Sequence, residues 1–160
     1  MRRIGIMGGT FNPIHVGHLL LAEWVKCEAE LDEIWLIPNG ISYMKEQLEV
    51  APAGDRLKMT ELAAMENKHF KCLDLEIKRA GYTYSYETLE VLARAYPEDE
   101  LYFILGADCL FTLETWKCPE RILGCCRLIA AVREEASLEE MSRKKAELEQ
   151  RFGGEIMLLP

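Results

Sequence analysis

Six apolar runs of strand length, at residues 4–7, 34–37, 70–75, 101–105, 128–132 and 156–159, recur along the chain. Most are separated by stretches whose apolar positions return every three to four residues, the period of a helix packed on one side. Such alternation predicts βαβ crossovers, and hence an α/β fold with a doubly wound, mainly parallel sheet of five to six strands and flanking helices. The first helix is predicted over 16–30, with Leu20, Trp24, Cys27 and Leu31 on one face. Others are predicted over 55–67, over 85–96, and from Pro119, where proline suits a first turn. A capping box at Ser137-Leu138-Glu139-Glu140 opens the last helix, which runs towards Arg151 and ends at Gly153-Gly154. Residues 39–53 carry few periodic apolar positions and read as a long loop, of the kind that often carries function.

With 160 residues and 49% apolar content, the chain can bury a sizeable core and is read as one domain, 1–160. Its formal charge of −8 argues against a nucleic acid or an anionic membrane as partner, because either needs a broad cationic face. Any anionic ligand must therefore meet a local positive site. No stretch approaches the length of a membrane span and the opening Met-Arg-Arg does not lead into a signal peptide, so the predicted location is cytoplasmic. The acidic surface permits a monomer or a homo-oligomer. The six cysteines show no C-x-x-C spacing and are expected to be reduced thiols.

The chemistry concentrates where the first strand hands over to the first helix. There the chain reads Gly8-Gly9-Thr10-Phe11-Asn12-Pro13-Ile14-His15-Val16-Gly17-His18. Gly8 and Gly9 are expected to let the backbone approach a polyanion and to tolerate a sharp turn at positive φ. Thr10 can add a hydroxyl donor, and helix amides near His15 and His18 are expected to point at the same ligand. His15 and His18, three apart, can both face that ligand, with Gly17 leaving room. No G-x-x-x-x-G-K-[ST] or G-x-G-x-x-G occurs, which argues against a Walker-type NTPase and a dinucleotide fingerprint. Without H-E-x-x-H or an evident third ligand, no metal site is predicted from protein side chains.

The extended pattern resembles the HxGH nucleotidyltransferases, and more narrowly the bacterial nicotinate-mononucleotide adenylyltransferases. The opening motif matches almost throughout, with Asn12 where Asp is common. Residues 52–62 with Arg56, the run Gly81-Tyr82-Thr83-Tyr84-Ser85-Tyr86-Glu87-Thr88-Leu89, the strand ending in Gly106-Ala107-Asp108, and Trp116-Lys117 agree in order. Lys45 is retained in its loop, but Tyr43 and Met44 replace the usual Pro-His. The family's second phosphate motif, a Ser/Thr-rich segment ending in arginine, would follow Pro160, so the chain is expected to be truncated at its C-terminus.

The resemblance implies a Rossmann-like fold and transfer of AMP from ATP to nicotinate mononucleotide, giving nicotinate adenine dinucleotide and pyrophosphate in NAD biosynthesis. His15, His18 and Lys45 would then be catalytic. Gly8, Gly9, Thr10, Phe11, Gly106, Asp108 and Arg133 would bind ATP. Ser85, Thr88 and Trp116 would bind the acceptor, Trp116 by stacking on the pyridine ring. Mg²⁺ would accompany ATP, held mostly by phosphate oxygens and water. Two alternatives stand beside this reading: another HxGH adenylyltransferase of the phosphopantetheine type, and a nucleotide-binding protein inactive for want of the terminal clamp.

Overall fold

The structure is a computed structural model and describes residues 1–42, 51–132 and 138–159. Two compact units divide the chain near residue 85. In the first, β1 (Arg3–Gly9) leads through α1 (Val16–Glu28) to β2 (Glu33–Pro38), and α2 (Ala53–Ala64) leads to β4 (Phe70–Cys72). These strands are parallel in the order β4-β2-β1, with Ile6 opposite Trp35 and Ile34 opposite Phe70. Ile34, Leu36, Ile4 and Ile6 are at most 1% exposed, as expected of parallel strands covered on both faces. A separate pair, β3 (Ile41–Ser42) and β5 (Tyr82–Thr83), is also parallel.

The second unit begins with α3 (Ser85–Ala95) and β6 (Glu100–Gly106). From there α4 (Ala107–Thr112), a 3₁₀ turn over Leu113–Thr115 and α5 (Pro119–Cys125) lead to β7 (Arg127–Ala131). The long α6 (Leu138–Phe152) connects β7 to β8 (Ile156–Leu159). Here too the strands run parallel, in the order β6-β7-β8, with Phe103 opposite Leu128 and Ile129 opposite Met157. Pro119 occupies the first turn of α5, and Gly153 and Gly154 end α6 in the left-handed region at φ 78° and 81°.

All six predicted strands are present, each within a few residues of its expected bounds. The predicted apolar face of α1 is corrected. Leu20 is 65% and Trp24 36% exposed and Cys27 is exposed, whereas Ala22 and Val25 are fully buried and Ala29 nearly so. Small side chains at 22, 25 and 29 let the helix lie close against its neighbours; only Leu31, just beyond it, is buried as expected. The segment read as a loop contains β3 and ends at α2; residues 43–50 lie outside the described residues, as does Ser137 of the predicted capping box. No helix among the described residues is long and apolar enough to cross a membrane, and all six cysteines are free thiols.

Candidate active site

The turn after β1 is built on a reciprocal cap. His15 is the N-cap of α1, in extended backbone, and its Nδ1 accepts the Gly17 N–H at 3.1 Å. His18, one turn on, returns the favour: its Nδ1 accepts the His15 N–H at 3.1 Å. This is the geometry of a capping box, with two imidazoles in the roles that Ser/Thr and Glu/Gln commonly play. A neutral imidazole whose Nδ1 accepts a hydrogen bond must carry its proton on Nε2. Both rings therefore present an Nε2–H donor.

Three features hold the rings in that state. They stack on each other with centroids 3.8 Å apart and planes 29° apart. The Phe11 ring meets His18 edge-on at 5.2 Å, 85° between planes. A Cβ on Gly17 would come within 2.9 Å of the His15 ring, so glycine here keeps the cap imidazole in its seat. The pKa of His18 lies below its ordinary value, chiefly because burial disfavours the imidazolium and secondarily because His15 adds repulsion.

Two expectations about this turn are corrected. Gly8 and Gly9 lie in β1 and neither takes positive φ; the left-handed residue is Phe11, at φ 48° and 3% exposed. Gly9 matters for space, since its Cβ would stand 3.1 Å from the Phe11 ring. The amides of residues 15, 17 and 18 are not left for a ligand either: they donate to the two imidazoles and to the His15 carbonyl. The imidazoles take up the donors at the helix end and expose their own Nε2–H groups in exchange.

Beneath the turn lies Arg56, 2% exposed, a residue of the matching segment to which sequence reading assigned no task. Its Nε donates to the Ala51 carbonyl at 3.0 Å. One terminal nitrogen donates to the carbonyls of Thr10 at 2.7 Å and Asn39 at 2.8 Å, and to Asn39 Oδ1 at 3.3 Å; the other reaches the Gly40 carbonyl at 3.3 Å. Asn39 Nδ2 in turn donates to Thr10 Oγ1 at 3.3 Å, and Asn12 Oδ1 accepts the Ala51 N–H at 3.1 Å. The end of β2, the start of α2 and the turn are thus tied together. Burial pulls the Arg56 pKa down from its ordinary value, though a guanidinium stays charged. The signal available in sequence was the spacing of Arg56, Thr60 and Ala64, all buried on one stripe of α2.

In the second unit, Gly106 ends β6 and caps α4 without a side-chain hydrogen bond, and Asp108 is exposed in the first turn of that helix. Ser85 opens α3, half-buried, while Thr88 is 2% exposed and so offers a ligand almost no surface. Trp116 is half-buried: its Nε1–H donates to Thr112 Oγ1 at 3.3 Å and its ring meets Phe103 edge-on at 6.3 Å. Just before it, Glu114 pairs with the half-buried Lys144 of α6 at 2.7 Å. Lys45 and Arg133 lie outside the described residues.

Among the described residues no group of three His, Cys, Asp or Glu side chains could hold a metal ion. The donors at the turn are imidazole N–H and hydroxyl, a set suited to phosphate oxygens and not to a cation.

A family model described as cytidylyltransferase-like matches residues 6–152. A protein of Lachnoclostridium phytofermentans named "Probable nicotinate-nucleotide adenylyltransferase" is 42% identical over 99% of this chain and 80% of its own length. One of the same name from Dehalococcoides mccartyi is 48% identical over 82% of this chain and 65% of its own length. Among solved structures, the Plasmodium falciparum nicotinic acid mononucleotide adenylyltransferase complexed with NaAD aligns over the whole chain and 76% of its own, with TM-score 0.79 at 20% identity, a likeness of fold. The mainly parallel α/β sheet expected from the alternating runs, and the Rossmann-like nucleotidyltransferase fold that the resemblance implied, are thereby found. This chain belongs to the cytidylyltransferase-like family, among the nicotinate-nucleotide adenylyltransferases.

Proposed function

We propose that the chain transfers AMP from ATP to nicotinate mononucleotide, forming nicotinate adenine dinucleotide and pyrophosphate. An oxygen of the acceptor's 5′-phosphate attacks the α-phosphorus of ATP, and the bond between the α-phosphorus and the α–β bridging oxygen breaks, that oxygen leaving with pyrophosphate. The acceptor phosphate is already anionic at neutral pH, so the protein need not remove a proton. Its task is alignment and neutralisation of charge.

The observation that carries this reading is the paired cap, which turns both imidazoles into Nε2–H donors at the end of a helix. Such donors suit the charge that builds on the α-phosphate and the departing pyrophosphate. His15 and His18 hold that role, with the Thr10 hydroxyl and Lys45 assisting, and Gly8 and Gly9 leave the strand end open to the triphosphate. Phe11, buried as it is, supports the reading by holding the His18 ring. Gly106, Asp108 and Arg133 are assigned to adenosine and its phosphates, and Ser85, Trp116 and, from its buried place in α3, Thr88 to the nicotinate moiety. Mg²⁺ comes with ATP as part of the substrate, carried on phosphate oxygens, in keeping with a turn whose donors suit anions. The proposed setting is the cytoplasm, with mononucleotides as partners in place of nucleic acid or membrane, in keeping with the net charge of −8.

The test is incubation with ATP, Mg²⁺ and a panel of acceptors: nicotinate mononucleotide, nicotinamide mononucleotide and phosphopantetheine. The expected product is nicotinate adenine dinucleotide with equimolar pyrophosphate. Adenylylated phosphopantetheine, or tight ATP binding with no pyrophosphate released, would overturn the proposal.

A further inference from the structure

Arg56 is a buried cation whose hydrogen-bond partners among the described residues are all neutral: each is a carbonyl or the Asn39 amide oxygen. Burying a charge in this way is costly unless its surroundings put it to use. Two of its acceptors belong to Asn39, and the bond to Oδ1 decides which way that side chain faces. With Oδ1 turned to the guanidinium, Nδ2 is turned to Thr10, where it donates to Oγ1. A hydroxyl that accepts from an amide still has its own proton to give. The Thr10 carbonyl is held by the same guanidinium nitrogen at 2.7 Å, which fixes the backbone from which the hydroxyl projects.

From this chain of bonds we infer that Arg56 and Asn39 are positioning residues. They form a relay that makes the Thr10 hydroxyl an obligatory donor towards a bound polyphosphate. The inference rests on the reading of the turn as a triphosphate site. It adds what the opening motif does not contain: the direction of the Thr10 proton is set from the end of β2 and from α2.

Asn39→Asp is the sharpest probe, being almost isosteric. One carboxylate oxygen still accepts from Arg56, but the other accepts the Thr10 proton and turns the hydroxyl away from a ligand. Thr10→Val removes the hydroxyl altogether at nearly constant volume. The measurement is a double-mutant cycle on the affinity for inorganic tripolyphosphate, with turnover on ATP measured alongside and thermal unfolding to confirm folding. Thr10→Val is expected to weaken tripolyphosphate binding about 10-fold or more, the scale of a hydrogen bond to a charged group. Asn39→Asp is expected to weaken it at least as much. In the Thr10→Val background most of the Asn39→Asp loss should disappear, a coupling of about 5-fold or greater.

A smaller coupling overturns the relay, because Asn39 then acts independently of the hydroxyl. If Asn39→Asp does not fold, Asn39→Leu, which drops the amide donor without adding charge, takes its place in the same cycle. Strong coupling in a chain that makes no dinucleotide retires the transferase reading and leaves the relay standing. An active chain without coupling does the reverse, and a wild-type chain that binds no tripolyphosphate overturns the relay, with turnover on ATP still deciding the transferase reading.

Discussion

The turn after β1 and the region around Trp116 are built in opposite ways. At the turn, polar side chains are held by polar bonds: the two imidazoles cap each other's backbone, and Arg56 gathers carbonyls from three segments. Around Trp116 the ring rests against Phe103 and its indole N–H meets one threonine, while the neighbouring ion pair of Glu114 with Lys144 does not include it. The first arrangement fixes donors in direction, as neutralising a developing charge requires. The second offers a partly open aromatic face, suited to a flat ring whose recognition asks for area more than direction.

The contrast should be plainest in turnover. His18→Ala is expected to lower kcat by at least about 10²-fold in a chain that still folds, its unfolding midpoint lowered only by the lost cap, since the ring is part-exposed and its removal takes one donor from the transition state. Steady-state kinetics and a melting curve on the same preparation would check it. A near-normal rate would take His18 out of the mechanism.

Arg56→Met should separate the regions in stability. It strands the carbonyls of Thr10, Asn39 and Ala51 in a buried place, at a cost of about 3 kcal/mol, a large part of the ~5–15 kcal/mol that holds a domain together. Arg121→Met, which removes an exposed cation from the second unit, should hardly move the midpoint. Urea unfolding of the two variants makes the comparison, and equal losses would contradict it.

Trp116→Ala should act on the acceptor alone. Loss of an aromatic face is expected to raise KM for nicotinate mononucleotide by about 3- to 10-fold, with KM for ATP unchanged and Trp116→Phe recovering most of the loss. A parallel rise in both KM values would mean that the ring serves the fold and not the ligand.

The smallest effect is one of pH. The folded chain favours neutral His18, so the unfolded chain takes up protons first as pH falls below the ordinary histidine value of 6.5. The stability that the neutral ring contributes is therefore whole above that value and is lost as pH falls towards the lower folded pKa. Protonation also places a hydrogen on Nδ1, which then cannot accept the His15 N–H. Between about pH 6.5 and 5.5 the midpoint should decline more steeply in wild type than in His18→Gln. Parallel declines would contradict this.

Much of the fold was legible because its strands are buried on both faces and so read as unbroken apolar runs, such as Ile34–Ile37 within β2. Short elements were not: β3 and β5 have two residues each, too few for any period, and α4 is hardly longer than one turn. The buried side of α1 was misread because small residues, Ala22, Val25 and Ala29, occupy it in place of the larger side chains expected there. At the site, residue types pointed to phosphate chemistry, but which imidazole nitrogen would carry the proton depended on two backbone amides. Arg56 stood in the matching segment without an assigned task; only its distant carbonyl partners reveal its place.

The account depends most on where those imidazole protons sit. Long-range ¹⁵N–¹H NMR at neutral pH, with His69→Gln used to remove the third histidine's signals, reads the tautomer of each ring directly. Both His15 and His18 are predicted to be protonated at Nε2 and unprotonated at Nδ1. A proton on Nδ1 of either ring in the neutral state would contradict the reciprocal cap, and with it the case for two outward donors at the turn.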